Sequence, residues 1–425
     1  MEFLHAASTP ATIAELDLFK LPPTQTVIES TYDVEYRPVG SLTNNSVFEF
    51  IIPPSEHYTD LAASYLYAKL RINATKTTAS TSGAAATTKK LDVIPTSNFA
   101  ASLFEQLDVY LGNVNINPGN SLYHYQSFID DLFFKYKSPL DACQMIGGTE
   151  DERKERVKSA KTFDLIIPIH APMFQQEKFL LDNVPITLRF KTARQTFGLK
   201  CAEKPDELIV SFERLSLFIR RVKLFQPVQM SITSTLEQSP AKYYLQRNEV
   251  KSFHLPTGFA ASSIDNIYNG QLPRKLIVGF VPDKSFNGDI EKDGFTFVHS
   301  DLQSAAVVVN GVKIPSSPYQ PDFANSLYMR EFYDAYRSMN QDNGIPKINL
   351  EYYKYAKNYP LLVFDLTDDG TLANESGALS LVKRGNVRMD VQFKNPLNEG
   401  LHVIVFAIYD NVLQIDAERN IVTDY

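Results

Sequence analysis

Hydrophobic and polar residues alternate with a period of two along much of this chain, a pattern that predicts β-strands. From Tyr65 to Ile72 the alternation is strict, with Leu66, Ala68, Leu70 and Ile72 on one face. Leu107 to Leu111 alternates again, and Gly112-Asn113 turns the chain into Val114-Asn115-Ile116. Residues 163–190 return to β, ending in Ile186, Leu188 and Phe190 on one face, and Leu215 to Val222 forms a further strand. Helical spacing appears in two places. Thr12 and Glu15 have capping-box spacing, with Ile13, Leu16 and Phe19 sharing a face. After Ser121, apolar residues recur at Leu122, Tyr125, Ile129, Leu132 and Phe133. The charged segment Thr149 to Arg156 reads as one solvated helix turn or loop. Thr75 to Thr88 has almost no large apolar residue and reads as a long, mobile loop.

Gln226 to Lys242 interrupts the pattern with Pro227, Ser231, Thr233, Ser234 and Pro240, and is the expected linker. The chain therefore divides into an arm at 1–22, a first β unit at 23–225, the linker at 226–242 and a second β unit at 243–425. The arm has two open readings: a short helix packed on its own domain, or an extension that reaches a neighbouring subunit or an inner layer.

The two units repeat each other. Val47-x-x-Phe50-x-x-Pro53 returns as Val250-x-x-Phe253-x-x-Pro256, and the hairpin at Gly112-Asn113 returns at Asn310-Gly311. Asn-Gly is the dipeptide a tight two-residue hairpin prefers, because both positions need φ > 0. Ser121-Leu122-Tyr123 returns as Ser326-Leu327-Tyr328, Leu188 to Lys191 as Val391 to Lys394, and Leu215 to Phe218 as Val403 to Phe406. Five matches in one order, offset by 188 to 205 residues, imply a duplicated unit of strands, hairpin, helix and more strands. Many short strands interrupted by one helix point to a sandwich such as a jelly roll.

Composition narrows the function classes. A chain of 425 residues is too long for one ordinary core. Aromatics make up 12% with no Trp, which favours pleated, half-buried surfaces. The net charge of −7 lacks the basic field of a protein that condenses nucleic acid. Cys143 and Cys201 match no metal-ligand spacing; a disulfide stays open, though a reduced intracellular setting fits better. Met1 to Lys20 shows no secretory signal, and no apolar run approaches the ~18 residues of a membrane span. The expectation is a soluble protein made in the cytosol or nucleus, with the sequons at Asn44, Asn73 and Asn374 arising by chance.

A search for chemistry finds no G-x-G-x-x-G, Walker A, G-x-S-x-G, H-x-H or H-E-x-x-H motif. His5, His57, His124, His170, His254, His299 and His402 are dispersed, and scattered single histidines are read as surface or core residues. Asp130-Asp131 and Asp368-Asp369 do not suggest a glycosidase pair, since neighbours on a strand or loop point apart; Asp368-Asp369-Gly370 reads as a turn. Tyr243-Tyr244 and Tyr352-Tyr353 lack interleaved basic residues and are assigned to core or interface packing. The expectation is no enzyme: no catalytic residues, no cofactor and no metal.

Leu107 to Phe134, Ala356 to Leu366 and the closing segment Gly377 to Val412 resemble the major capsid proteins of polinton-type elements and adintoviruses. The resemblance spans roughly residue 45 to the end. It implies an all-β fold of two tandem jelly rolls with short inserted helices, like adenovirus hexon and virophage coat proteins, and it brings no catalytic residues. It further implies a homotrimer whose six barrels make a near-hexagonal capsomer in an icosahedral virion shell. Its partners would be neighbouring capsomers, penton and minor capsid proteins, with no sequence-specific contact to nucleic acid and membrane contact left open. The rival readings are a secreted tandem-sandwich fibre, adhesin or lectin, against which the missing signal stands, and a double-barrel enzyme of the bicupin or glycan-cleaving type, against whose bicupin version the missing H-x-H stands.

Overall fold

The structure is a computed structural model. It describes residues 7–8, 14–16, 18–19, 21–42, 46–78, 87–117, 119–135, 137–158, 161–338, 352–368, 379 and 381–423.

Eight strands make the first β unit: β1 Ile28–Tyr36, β2 Val47–Ile52, β3 Tyr58–Thr78, β4 Phe104–Leu111, β5 Val114–Asn117, β6 Thr162–Pro168, β7 Ile186–Thr192 and β8 Glu207–Leu224. Eight more make the second: β9 Ala241–Leu255, β10 Ala261–Gln271, β11 Lys275–Pro282, β12 Leu302–Val309, β13 Val312–Tyr319, β14 Leu362–Asp365, β15 Arg384–Phe393 and β16 Leu401–Ile415. The first unit pairs them as β1-β8-β3-β6 and β2-β7-β4-β5, every ladder antiparallel. The second pairs them as β9-β16-β11-β14 and β10-β15-β12-β13. Adding eight to each strand number of the first order reproduces the second. Each unit is thus a jelly roll, two sheets of four principal strands facing each other across a core, with Thr87–Lys90 adding a fifth strand to one sheet of the first unit and Ile421–Thr423 to one sheet of the second. Among the described residues no ladder joins the two sets of sheets.

The alternating residues fill these cores. Phe50, Leu66, Leu70, Leu107, Val109, Leu188 and Leu217 are buried inside the first barrel. Leu276, Val278, Phe280, Val307, Met389, Val403 and Val405 are buried inside the second. Leu66, Ala68, Leu70 and Ile72 all face in, as the period of two predicts. Both hairpins form: Leu111 faces Val114 and Val309 faces Val312, each across a two-residue turn. Asn310 and Gly311 both take positive φ, 50° and 86°, the left-handed pair a type I′ turn requires.

Four of the five sequence matches fall on equivalent elements: β4-β5 with β12-β13, β7 with β15, β8 with β16, and the two segments that open helices. The match from Val47 to Val250 does not, because Val47 starts β2 while Val250 lies in β9, the counterpart of β1. That match is one of spacing and not of structural position.

Five helices matter below: α1 Tyr123–Phe134, α2 Glu150–Arg156, α3 Gln226–Gln238, α4 Met329–Ser338 and α5 Tyr352–Asn358. α2 is the solvated charged segment, closed by a Thr149–Glu152 capping box, with no buried residue. The segment expected as an irregular linker is largely α3, with Pro227 in its first turn, where its missing N–H is harmless. The Thr-rich segment is not wholly loop either: β3 runs to Thr78 and pairs with Thr87–Lys90, residues 79–86 lying outside the described residues. Threonine favours an exposed ladder without needing a core. In the arm, Thr12 and Ile13 lie outside the described residues, and Ala14–Leu16 forms a single 3₁₀ turn. Leu16 and Phe19 are 62% and 95% exposed, so the described arm does not pack on its own barrel as the first reading required.

Candidate functional site: the seam between the barrels

α1 is where the two jelly rolls meet. Every residue from Tyr123 to Phe133 is buried, and a helix buried all round must be packed on several sides. One side belongs to its own barrel through Tyr123. Tyr125, Phe128, Ile129, Leu132 and Phe133 pack instead with Ile277, Val281, Ile404, Phe406 and Ile408 of the second barrel. Those residues lie on β11 and β16 and alternate with Val278, Val403, Val405 and Ala407 of the barrel interior. β16 is therefore buried on both faces, which is why Val403 to Ile408 reads as an unbroken apolar run and not an alternating one.

Aromatic rings fill the seam. Phe128 stacks on Phe295 at 4.2 Å and 11°, and Phe197 of the first unit meets Phe295 edge-on at 5.3 Å. The Tyr125 hydroxyl donates to the Gly294 carbonyl at 2.8 Å. A second contact lies at the other end of the sheets. Leu413 and Ile415 of β16 and Tyr243 and Leu245 of β9 join the first barrel's core. Tyr243 donates to the Phe179 carbonyl and accepts from the Leu181 N–H. Arg419 donates to the Asp182 carbonyl at 2.9 Å. The barrels form one block with a largely apolar joint.

A buried polar cluster lies beside this joint. Asp130 and Asp131 sit on α1, not on a strand or loop, and both turn toward His170: Nδ1 lies 2.6 Å from Asp130 and Nε2 3.5 Å from Asp131. Asn98 donates to Asp131, and Gln175 and Asn248 donate to Asp130, the last from the second barrel. Burial pulls the His170 pKa down, but the two carboxylates overcome it and push it up to about 9. His170 is then an imidazolium at neutral pH that holds two buried carboxylates together. The arrangement holds charge in the interior, with both carboxylates buried and turned toward the same imidazole.

The remaining candidates separate. His124 is held neutral by burial, its pKa lowered to about 3, between the Tyr125 and Phe197 rings. Tyr243 is packed, whereas Tyr353 is 87% exposed. Cys143 and Cys201 are free thiols. Asp369 and Gly370 of the expected turn, and His5, lie outside the described residues. His254 and His402, far apart in sequence, are direct partners across β9 and β16, and Asp283 reaches both. The dispersal of histidines along the chain concealed this group; only the strand register reveals it.

No protein-family model matches the chain. An uncharacterized protein of Caenorhabditis elegans is 19% identical over 423 residues, covering 95% of this chain and 99% of that protein. Among solved structures, a chain of the PBCV-1 virus capsid superposes with a TM-score of 0.63 at 11% identity, covering 96% of this chain and 99% of that one. A chain of the Sputnik virophage gives 0.64 at 12% identity over 98% and 93%. The mavirus major capsid protein gives 0.56 at 10% identity over 100% and 96%. At these identities the likeness is one of fold, and it extends over both barrels: the chain has the double jelly-roll fold of these capsid proteins.

Proposed function

We propose that this protein is a major capsid protein, a structural block and not an enzyme. The observation that carries the reading is the seam. Two jelly rolls of the same strand order are fixed side by side by a buried aromatic joint, so one chain presents two barrels as a single rigid tile. The end-to-end likeness to chains of the PBCV-1 capsid and the mavirus major capsid protein supports it.

In this reading three chains assemble about a threefold axis and set six barrels in a near-hexagon. The hexagons tile an icosahedral shell, with penton and minor capsid proteins at its vertices and joints. The duplication lets the two barrels make different contacts in each position. The resemblance of Leu107 to Phe134 and of the closing segment points to a polinton or adintovirus type, and a full-length relative in a nematode fits an element carried by animal genomes. The protein then belongs to the virion shell after synthesis in the host cell. A net charge of −7 fits a shell that leaves the genome to other proteins. Negative-stain electron microscopy of the purified protein tests this: hexagonal outlines with threefold symmetry are expected, and a field of lone two-barrel particles contradicts it.

A further inference from the structure

We propose that His254, Asp283 and His402 form a binding site for one divalent transition-metal ion of the zinc class. The site is built from three separate elements. His254 ends β9, His402 begins β16, and Asp283 follows β11 at the start of a short helical turn that ends at Phe286. His254 and His402 face each other across the β9–β16 ladder, and Asp283 is tied to the same edge by its N–H bond to the Gly400 carbonyl, 3.0 Å.

The distances suit coordination. His254 Nε2 lies 3.1 Å from one Asp283 carboxylate oxygen, and His402 Nε2 lies 3.4 Å from the other. One ligand atom from each of the three residues falls within 4.8 Å of the others. A tetrahedral ion with bonds of about 2.0–2.1 Å needs ligand atoms about 3.3 Å apart; the two nitrogen–oxygen distances are near that value, and a small side-chain adjustment brings all three ligands to it. Two imidazoles and a carboxylate leave a fourth position for water, and this donor set favours zinc and its neighbours over magnesium or calcium.

Asp283 Oδ2 already bonds His254 Nε2, but Asp283 Oδ1, which faces His402 Nε2, is buried without a hydrogen-bond partner. The 3.4 Å contact between Asp283 and His402 lacks hydrogen-bond geometry, so it does not itself satisfy the carboxylate. Buried polar atoms of this kind call for a bound partner. Phe286 stacks on the His402 ring at 3.7 Å and 11° and fixes its plane. His254 is exposed, so an ion can enter. Gly400 is required by the close approach: a Cβ there would stand 2.0 Å from the Asp283 carboxylate and 3.0 Å from His254 Nε2. Phe286 also stacks on Tyr125 of α1 at 5.9 Å, so an ion here would brace the second barrel beside the seam.

The test is zinc titration of the full-length protein, stripped of metal with chelator, by calorimetry and by competition with a chromophoric chelator. One zinc per chain is expected. His402→Ala and Asp283→Asn should each weaken it at least ~100-fold, and Gly400→Ala should weaken it by ~10–100-fold through misplacing the ligands. His254→Gln, at an exposed position that the fold tolerates, should do as His402→Ala does. His299→Ala should leave binding unchanged. Thermal denaturation of the metal-free variants establishes that they are folded. Zinc should raise the melting temperature of the wild type and not of His254→Gln. Absence of stoichiometric zinc binding, or binding that survives His254→Gln, overturns the proposal and leaves the cluster a histidine–aspartate ion pair.

Discussion

Phe128 is the residue on which the seam's mechanical role can be tested most sharply. It is 2% exposed, stacks on Phe295 at 4.2 Å and lies 6.1 Å from both Phe297 and Tyr359. Phe128→Ala removes a fully enclosed ring and its aromatic partners; burial of this kind is worth about 3–5 kcal/mol. For a barrel of this size that corresponds to a fall in melting temperature of about 6–20 °C. The magnitude is not the discriminating quantity, because any core truncation destabilises. The seam argument predicts a change in cooperativity. In the wild type each barrel covers apolar surface of the other, so calorimetry should show one coupled transition. Phe128→Ala weakens the joint and should split or broaden it into two. Phe50→Ala, inside the first barrel and fully buried, should cost a similar amount while keeping a single transition. Two well-separated transitions in the wild type, or a single unchanged transition in Phe128→Ala, would refute the reasoning.

Other predictions follow from the same geometry. His170→Ala leaves Asp130 and Asp131 buried without their cation and should destabilise by about 3–5 kcal/mol in urea denaturation. Because the folded pKa of His170 is raised to about 9, its stabilisation is complete below its ordinary value of 6.5 and is lost as pH rises through about 9. Lys275, lowered to about 7 by burial and the nearby Arg274, has the opposite slope, so the loss is read in a Lys275→Met background; a flat profile there would contradict the assignment. Gly311→Ala forces a side chain to φ 86° and should cost about 1–2 kcal/mol by thermal denaturation. Deleting residues 1–22 should change the stability of the isolated chain by no more than ~0.5 kcal/mol, since Leu16, Leu18, Phe19 and Leu21 are all largely exposed there. A large loss would mean the arm packs on its own barrel.

The strands of each barrel were legible because one face is buried and the other is not; Tyr65 to Ile72 carries that rule without exception. The duplication was legible where turn chemistry and strand edges are constrained, at Asn310-Gly311 and in β7 and β15. It misled at Val47 and Val250, where a loose apolar spacing met the wrong strand. α1 could be placed by its helical period, but its second apolar side could not be interpreted without the partner sheet. The unbroken run from Val403 to Ile408 was the available signal that a strand is covered on both faces. α3 was hidden by Pro227 and its Ser and Thr residues, which read as loop although proline is harmless in a first turn. The polar groups were the least legible. Asp130, Asp131 and His170 meet only when α1 docks, and His254 and His402 meet only through the register of β9 with β16. Spacing along the chain carries no trace of either meeting.

The central claim, that one chain is a two-barrel tile for a threefold block, is tested most directly by the mass of the purified protein in solution. Size-exclusion chromatography coupled to light scattering should give a stable species near 144 kDa, three chains of 48.0 kDa. A species that stays at 48.0 kDa at high concentration would contradict the account.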